Sequence, residues 1–139
     1  MSVRVLVVDD HAAMRRSLMQ VLESETDVKV VGEVSSGDAA VRQVEQLDPD
    51  VVIIDIGMSA LSGIDATRRI VQRRPQTIVI ALSVQDYAMY AVRMLRAGAR
   101  AYVLKDGGGD ELLLAMRIAR RGRTYLSSGI EGLSSPGSS

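Results

Sequence analysis

Residues 3–11, Val-Arg-Val-Leu-Val-Val-Asp-Asp-His, decide the fold class of this chain. They form a short apolar run, rich in β-branched valine, that ends abruptly at two acidic side chains. Such a run predicts a buried strand whose carboxyl end opens onto polar residues. Comparable runs follow at residues 28–34, 51–54, 77–82 and 101–104. The third and fourth runs are almost wholly apolar, as is typical of parallel strands that are covered on both faces.

Stretches with a helical spacing of apolar residues lie between and after these strands. They predict helices over about residues 12–23, 37–47, 64–74, 86–97 and 110–121. The fourth helix carries Met89, Val92 and Leu95 as its apolar residues and stops at Gly98. The alternation predicts an α/β fold of the (βα)₅ type, a doubly wound parallel five-stranded sheet with helices on both faces.

The length and composition suit one globular domain. The chain has 139 residues, enough for a sizeable core. Its 17 basic and 17 acidic side chains cancel, which argues against a broad surface for nucleic acid or an anionic membrane. The lack of cysteine excludes disulfides and thiolate metal sites. No apolar run reaches transmembrane length and no signal-peptide pattern is present, so a cytoplasmic location is expected.

The composition changes near the C-terminus. We place the folded domain at residues 1–122, and we expect residues 123–139, which become rich in Ser and Gly, to be a flexible linker or tail. No effector domain is expected within this chain.

Polar side chains stand where the predicted strands end. Ligands of an open α/β sheet bind outside these carboxyl ends, so we expect convergence there of Asp9, Asp10, Asp55, Ser83 and Lys105. Three neighbouring carboxylates raise one another's pKa values, and such a site is stable mainly with a cation bound. Oxygen ligands favour a hard ion, and a shallow site that keeps water molecules favours Mg²⁺.

The same residues suit phosphoryl transfer. An aspartate can accept a phosphoryl group as an acyl phosphate. The transfer itself needs chiefly in-line positioning and neutralisation of charge. Lys105 offers a positive charge for a phosphoryl oxygen, and Ser83 offers a compact donor. His11, the single histidine, is interpreted as a helix-start residue rather than a general base.

Each candidate residue also has an ordinary structural interpretation. Asp9 and Asp10 could cap the first helix. Asp55 could be a loop acid, and Ser83 could cap the fourth helix. Lys105 could be solvated, as most lysines are. The position of every one of these residues at a strand end favours the interpretation as a common site.

Four segments carry the motifs at the strand ends: 5–11 Val-Leu-Val-Val-Asp-Asp-His, 51–58 Val-Val-Ile-Ile-Asp-Ile-Gly-Met, 81–83 Ala-Leu-Ser and 97–106 Ala-Gly-Ala-Arg-Ala-Tyr-Val-Leu-Lys-Asp. As an ordered set they resemble the receiver domain of bacterial two-component response regulators. The last segment, with 122–127 Gly-Arg-Thr-Tyr-Leu-Ser, resembles the NarL/FixJ-like subgroup that usually carries a LuxR-type helix-turn-helix domain. The resemblance spans residues 1–127 and implies the flavodoxin-like strand order 2-1-3-4-5, for which a receiver is a known example.

The resemblance implies a role for each acid. Asp55 would accept a phosphoryl group from a sensor histidine kinase, the phosphodonor. Asp10, Asp55 and the backbone carbonyl of Gly57 would bind Mg²⁺ directly, while Asp9 would act mainly through metal-bound water.

The resemblance also implies how the site signals. Ser83 and Lys105 would hold the phosphoryl oxygens, and Tyr102 would be a switch residue that turns inward when Ser83 moves toward the phosphoryl group. The plainer interpretation of Tyr102 is a half-buried strand tyrosine.

The output implied is control of transcription through a DNA-binding domain absent from this chain, so this segment itself is not expected to bind DNA. A homodimer through the fourth helix, fifth strand and fifth helix is a further expectation. The domain would not be an enzyme, since it would catalyse only its own phosphorylation and dephosphorylation.

Three other functions remain open at this point. A phosphoaspartyl hydrolase of the haloacid dehalogenase type also uses a strand-end Asp with Mg²⁺. That class requires a second acid two residues after the nucleophile, where this chain has Gly57. A flavodoxin-like cofactor binder wants a phosphate loop where Asp9 and Asp10 stand. A pseudo-receiver that acts as an unphosphorylated scaffold does not require the acid set, Ser83 and Lys105, which are intact here.

Overall fold

The structure, a computed structural model, describes residues 2–56, 60–84 and 86–130, with the backbone alone for Ala60 and Leu61. Its strands are β1 Val3–Val8, β2 Val28–Val34, β3 Val51–Asp55, β4 Ile78–Ser83, β5 Ala101–Leu104 and β6 Tyr125–Leu126. Its helices are α1 Ala12–Glu23, α2 Gly37–Leu47, α3 Ala60–Arg73, α4 Ala88–Ala97 and α5 Gly108–Arg120. A 3₁₀ turn, Lys105–Gly107, leads into α5. The described part contains no helix that is both long enough and apolar enough to cross a membrane.

All neighbouring strands of the sheet are parallel, in the order β2-β1-β3-β4-β5-β6. The predicted doubly wound α/β fold and the order of its first five strands are confirmed. Val8 pairs with Ile54 across β1 and β3, and Asp55 pairs with Leu82 across β3 and β4. The carboxyl ends of these strands therefore finish side by side, which is the condition for a shared site.

The core has two layers because both faces of the sheet are covered. Side chains alternate along a strand, so Val52 and Ile54 of β3 face one layer while Val51 and Ile53 face the other. The first layer contains residues of α2, α3 and α4, and the second contains residues of α1 and α5. A strand that is covered on both faces needs apolar side chains at every position, which explains the unbroken apolar sequence of residues 51–54.

The buried face of α4 differs from the one predicted. The helix buries Ala91, Met94 and Ala97, whereas Met89 is exposed. The choice of Met89 for the apolar stripe was therefore wrong, while Val92 and Leu95 of that stripe are partly buried. Alanine adds little to an apolar pattern, yet its small side chain lets a helix lie close to the elements it covers. Here those elements are α3 and β5.

The chain after Gly122 is more ordered than its composition indicates. Tyr125–Leu126 form a short sixth strand parallel to β5, and both Ser127 and Ile130 are buried. A flexible segment from residue 123 onward is therefore not what the structure shows, because the packed chain continues to Ile130. Residues 131–139 lie outside the described ranges, and their flexibility stays a prediction.

Candidate functional site

Asp55 and Lys105 form a buried ion pair at the carboxyl ends of β3 and β5. Asp55 is the last residue of β3, and 1% of its surface is exposed. Lys105 Nζ donates a hydrogen bond to Asp55 Oδ2 at 2.6 Å, and the lysine side chain is 15% exposed. Asp55 is therefore not a loop acid and Lys105 is not a solvated lysine. Because an unpaired charge is costly to bury, each of the two needs the other in this place.

Asp9 lies directly after β1 and is fully buried beside this pair. Its Oδ1 accepts a hydrogen bond from the His11 backbone N–H at 2.8 Å. Within the described residues its Oδ2 has no hydrogen-bond partner. Burial raises the pKa of Asp9 against the effect of the His11 N–H, and the Asp55 carboxylate raises that pKa further. The cluster therefore holds a buried carboxylate oxygen of Asp9 that accepts no hydrogen bond from the described chain and lies beside the Asp55 carboxylate.

Asp10 stands at the rim of the cluster. Its side chain is 44% exposed, and its Oδ1 lies 2.7 Å from His11 Nδ1. Neither acid caps α1, because the N-cap residue is His11 and no side chain bonds the first turn. The possible ligand atoms of Asp9, His11 and Asp55 all lie within 4.8 Å of one another. Gly57, the other predicted ligand, lies outside the described residues.

Ser83 and Tyr102 meet inside the neighbouring strands. Ser83 is the buried last residue of β4, and α4 begins later with Tyr87 as its N-cap, so Ser83 does not cap that helix. The Tyr102 side chain is fully buried, and its hydroxyl hydrogen-bonds with the Ser83 side chain. Burial raises the pKa of Tyr102 and the bond with Ser83 opposes that rise. Tyr102 is thus turned inward, and it is not the half-buried tyrosine of the plainer interpretation.

Two contacts near the site carried no signal in the sequence. Arg15 Nη1 donates to the Asp9 carbonyl at 2.5 Å, and Arg15 Nε lies 3.5 Å from Glu33 Oε1 on β2. This pair ties the acidic loop after β1 to the neighbouring strand. Ser127 bonds to the end of β5, immediately before Lys105. The contacts of Arg15 with Glu33 and of Ser127 with Leu104 join residues far apart in the chain, which periodicity and local motifs do not report.

The sequence and the structure both match known proteins. Residues 5–117 match the response regulator receiver domain family, and the chain belongs to that family. The transcriptional regulatory protein LiaR of Bacillus subtilis is 37% identical over 132 residues, which are 94% of this chain and 62% of LiaR. The transcriptional regulatory protein DegU of Brevibacillus brevis is 34% identical over 124 residues, 89% of this chain and 52% of DegU. The chain spans between half and two thirds of these relatives.

Solved structures place the domain within a subgroup of receivers. A two-component response regulator of the LuxR family from Aurantimonas superposes with a TM-score of 0.88 at 28% identity, covering 94% of this chain and 93% of that one. The signal receiver domain of the NarL response regulator from Mycobacterium tuberculosis has a TM-score of 0.79 at 30% identity, covering 88% and 98%. The predicted resemblance to receivers of the LuxR and NarL type is confirmed.

Proposed function

We propose that Asp55 accepts a phosphoryl group from a sensor histidine kinase and that the phosphorylated domain controls a transcriptional output. The observation that supports this is the buried contact of Lys105 Nζ with Asp55 Oδ2, beside Asp9. A carboxylate oxygen of Asp55 would attack phosphorus as the bond to the kinase imidazole breaks, which leaves an acyl phosphate. Lys105 is already in place to neutralise the charge on a phosphoryl oxygen.

The acid cluster fits the Mg²⁺ ion that receiver domains generally bind at an acidic pocket. The unsatisfied, buried Oδ2 of Asp9 next to Asp55 is the kind of oxygen that a hard cation takes. Asp9, Asp10 and Asp55 would hold the ion together with the carbonyl of Gly57. When bound, the ion supplies positive charge that offsets the carboxylates and the incoming phosphoryl group.

The contact of Ser83 with Tyr102 supports the proposed switch. The Ser83 hydroxyl and the Lys105 ammonium would hold the phosphoryl oxygens after transfer. Since Tyr102 bonds with Ser83 and packs in the same layer as Met94 of α4, a shift of Ser83 acts on the packing beneath α4. Phosphorylation would then change the population of states in which this face meets a partner.

The outer surface of α4 and α5 is the proposed partner surface for a homodimer. Its exposed apolar side chains include Tyr87, Met89 and Leu114, and the rings of Tyr87 and Tyr90 lie 5.7 Å apart. Met94 and Tyr102 are core residues beneath this surface rather than part of it. Tyr87 and Met89 lie at α4 on one side of the sheet, and Leu114 lies on α5 on the other side. Large exposed apolar groups are typical of interaction sites.

The test of the proposed function is phosphorylation by a small donor. Wild-type protein with Mg²⁺ and acetyl phosphate should gain the mass of one phosphoryl group, and Asp55→Asn should lose that gain. Asp65→Asn, which changes an exposed acid on α3, is the matched control and should label like wild type. A chelator should prevent labelling of wild type and of Asp65→Asn. Equal labelling of Asp55→Asn and wild type would refute the assignment of Asp55.

A further inference from the structure

The segment from Tyr125 to Ile130 is attached to β5 by its backbone. The Tyr125 N–H donates to the Arg100 carbonyl at 3.0 Å, and the Ser127 N–H donates to the Tyr102 carbonyl at 3.0 Å. These bonds extend the parallel sheet by one short strand. The last described residues of the chain therefore run alongside β5, the strand that carries Tyr102 and ends just before Lys105.

Ser127 completes the ladder with its side chain. A continued parallel ladder would offer the Leu104 N–H a backbone carbonyl, but β6 ends at Leu126. The Ser127 hydroxyl takes that place and accepts from the Leu104 N–H at 2.9 Å. Ser127 is 5% exposed, so water does not replace this bond readily. A buried backbone N–H needs a partner, and the partner of this one is a single serine.

The residue that Ser127 holds is adjacent to the site. Leu104 directly precedes Lys105, whose ammonium is bonded to Asp55. Tyr102, whose carbonyl accepts from the Ser127 N–H, is bonded with Ser83. Ser127 thus contacts the backbone on both sides of Val103, between the switch tyrosine and the lysine of the site.

Two further contacts keep the segment in place around Ser127. The Tyr125 hydroxyl donates to Glu111 Oε2 of α5 at 2.6 Å. Ile130 is buried in the same layer as Leu104 and Tyr102. The segment is therefore held at both ends, and the Ser127 hydroxyl lies between these two anchors.

We propose that Ser127 is a positioning residue, which fixes the end of β5 so that Lys105 reaches Asp55. The same bond ties the segment from Tyr125 to Ile130 to the state of the site. The role rests on the proposed phosphorylation of Asp55, and it goes beyond it by assigning a function to a residue of that segment. Movement of Lys105 toward a phosphoryl group would be transmitted through Leu104 to Ser127. In the other direction, a change at Ser127 would alter the position of Lys105.

The experiment compares Ser127→Ala with two matched variants. Ser128→Ala removes the hydroxyl of the neighbouring exposed serine, and Ile130→Ala weakens the packing of the same segment without touching the bond to Leu104. Labelling by acetyl phosphate and amide exchange of residues 101–106 are measured for each, with the fraction folded determined separately. Ser127→Thr, which retains a hydroxyl, tests rescue.

We expect Ser127→Ala to label at least about tenfold more slowly than wild type, since small misplacements of a positioned group have effects of that order or larger. Its Leu104 amide should exchange faster, and Ser127→Thr should recover part of both properties. Ser128→Ala should match wild type. In wild-type protein, the phosphomimetic beryllofluoride should change the exchange of residues 125–130.

Two results with the variants would overturn the proposal, and a third, with wild-type protein, applies if Ser127→Ala does not fold. One is labelling and Leu104 exchange in Ser127→Ala that match those of Ser128→Ala. The other is an equal loss of labelling per folded molecule in Ile130→Ala, which would make the role of Ser127 merely structural. If Ser127→Ala does not fold, an unchanged exchange of residues 125–130 on addition of beryllofluoride to wild type would also overturn it. Failure of the proposed function is distinct, because wild-type protein would then take up no phosphoryl group at all.

Discussion

Two regions of this domain bury polar groups at the ends of strands. The regions differ in how fully those groups have hydrogen-bond partners. At the site, the Lys105 ammonium bonds Asp55, and Asp9 Oδ2 lacks a hydrogen-bond partner within the described chain. At the β5–β6 edge, the hydroxyls of Tyr125 and Ser127 each have a partner. Buried polar groups are normally paired, and the hydroxyls at the edge follow that rule. The site retains a buried carboxylate oxygen, Asp9 Oδ2, that a bound cation can pair with.

The difference has energetic consequences of opposite sign. A change at the edge removes a satisfied bond and should lower the free energy of unfolding. A change at the site can remove like-charge repulsion and should raise that free energy in the absence of metal, as functional sites often permit.

The largest expected effect is on the edge. Ser127→Ala should lower the free energy of unfolding by about 2 kcal/mol, because it leaves the buried Leu104 N–H without a partner. Denaturant unfolding of this variant against Ser128→Ala measures the difference. A change in stability no larger than that of the control would show that the edge tolerates an unmet bond as well as the site does.

The next prediction concerns metal binding at the site. Asp10→Ala should weaken Mg²⁺ binding by about tenfold, or about 1.4 kcal/mol, and by more than Asp9→Ala. The reason is that the family resemblance implies direct binding of the ion by Asp10. To bind it, the Asp10 carboxylate would give up its contact with His11. Calorimetric titration of both variants measures the order. The reverse order would make Asp9, which is already beside Asp55, the direct ligand.

Asp9→Asn should stabilise the metal-free domain by about 1 kcal/mol at neutral pH. Burial and Asp55 raise the pKa of Asp9 in the folded state, so its ionisation disfavours folding. The gain should vanish below the ordinary carboxyl pKa, where Asp9 is protonated in both states, and should grow as the pH rises through the raised value. Thermal unfolding in chelator across this range measures it, with Asp65→Asn as a control. A gain that does not depend on pH would contradict the electrostatic cause.

The smallest expected effect is that of Tyr125→Phe, a loss of about 0.5 kcal/mol. Burial and the hydrogen bond to Glu111 raise the pKa of Tyr125 to about 12. The contribution of this neutral hydroxyl to stability is fully present below the ordinary tyrosine pKa and is lost as the pH rises through the raised one. When tyrosinate absorbance is followed as the pH rises, the variant should therefore show one fewer tyrosine that ionises at high pH. An unchanged titration curve would show that Glu111 does not hold Tyr125.

Local patterns were enough for most of the fold. The apolar runs at 3–8 and 51–54 and the breaks after the helices depend on neighbouring residues, so strands and helices could be assigned from the sequence. The face of α4 could not, because its buried stripe includes Ala91 and Ala97, whose small side chains matter only against a specific neighbour. The sequence also did not show which of Asp9 and Asp10 is the buried one. The two acids are adjacent in one loop, and their burial depends on how that loop turns.

The sequence by itself determined that this protein is an alternating α/β domain with acids, a serine and a lysine at its strand ends, because side-chain periodicity along a strand or helix is a local property. Only the tertiary structure decided which of those groups touch. Lys105 meets Asp55 across 50 positions of the chain, and Ser127 meets Leu104 across 23. Such contacts depend on how the strands pair in space. For that reason Tyr125 and Leu126, within the segment predicted to be a flexible tail, proved to be the sixth strand of the sheet.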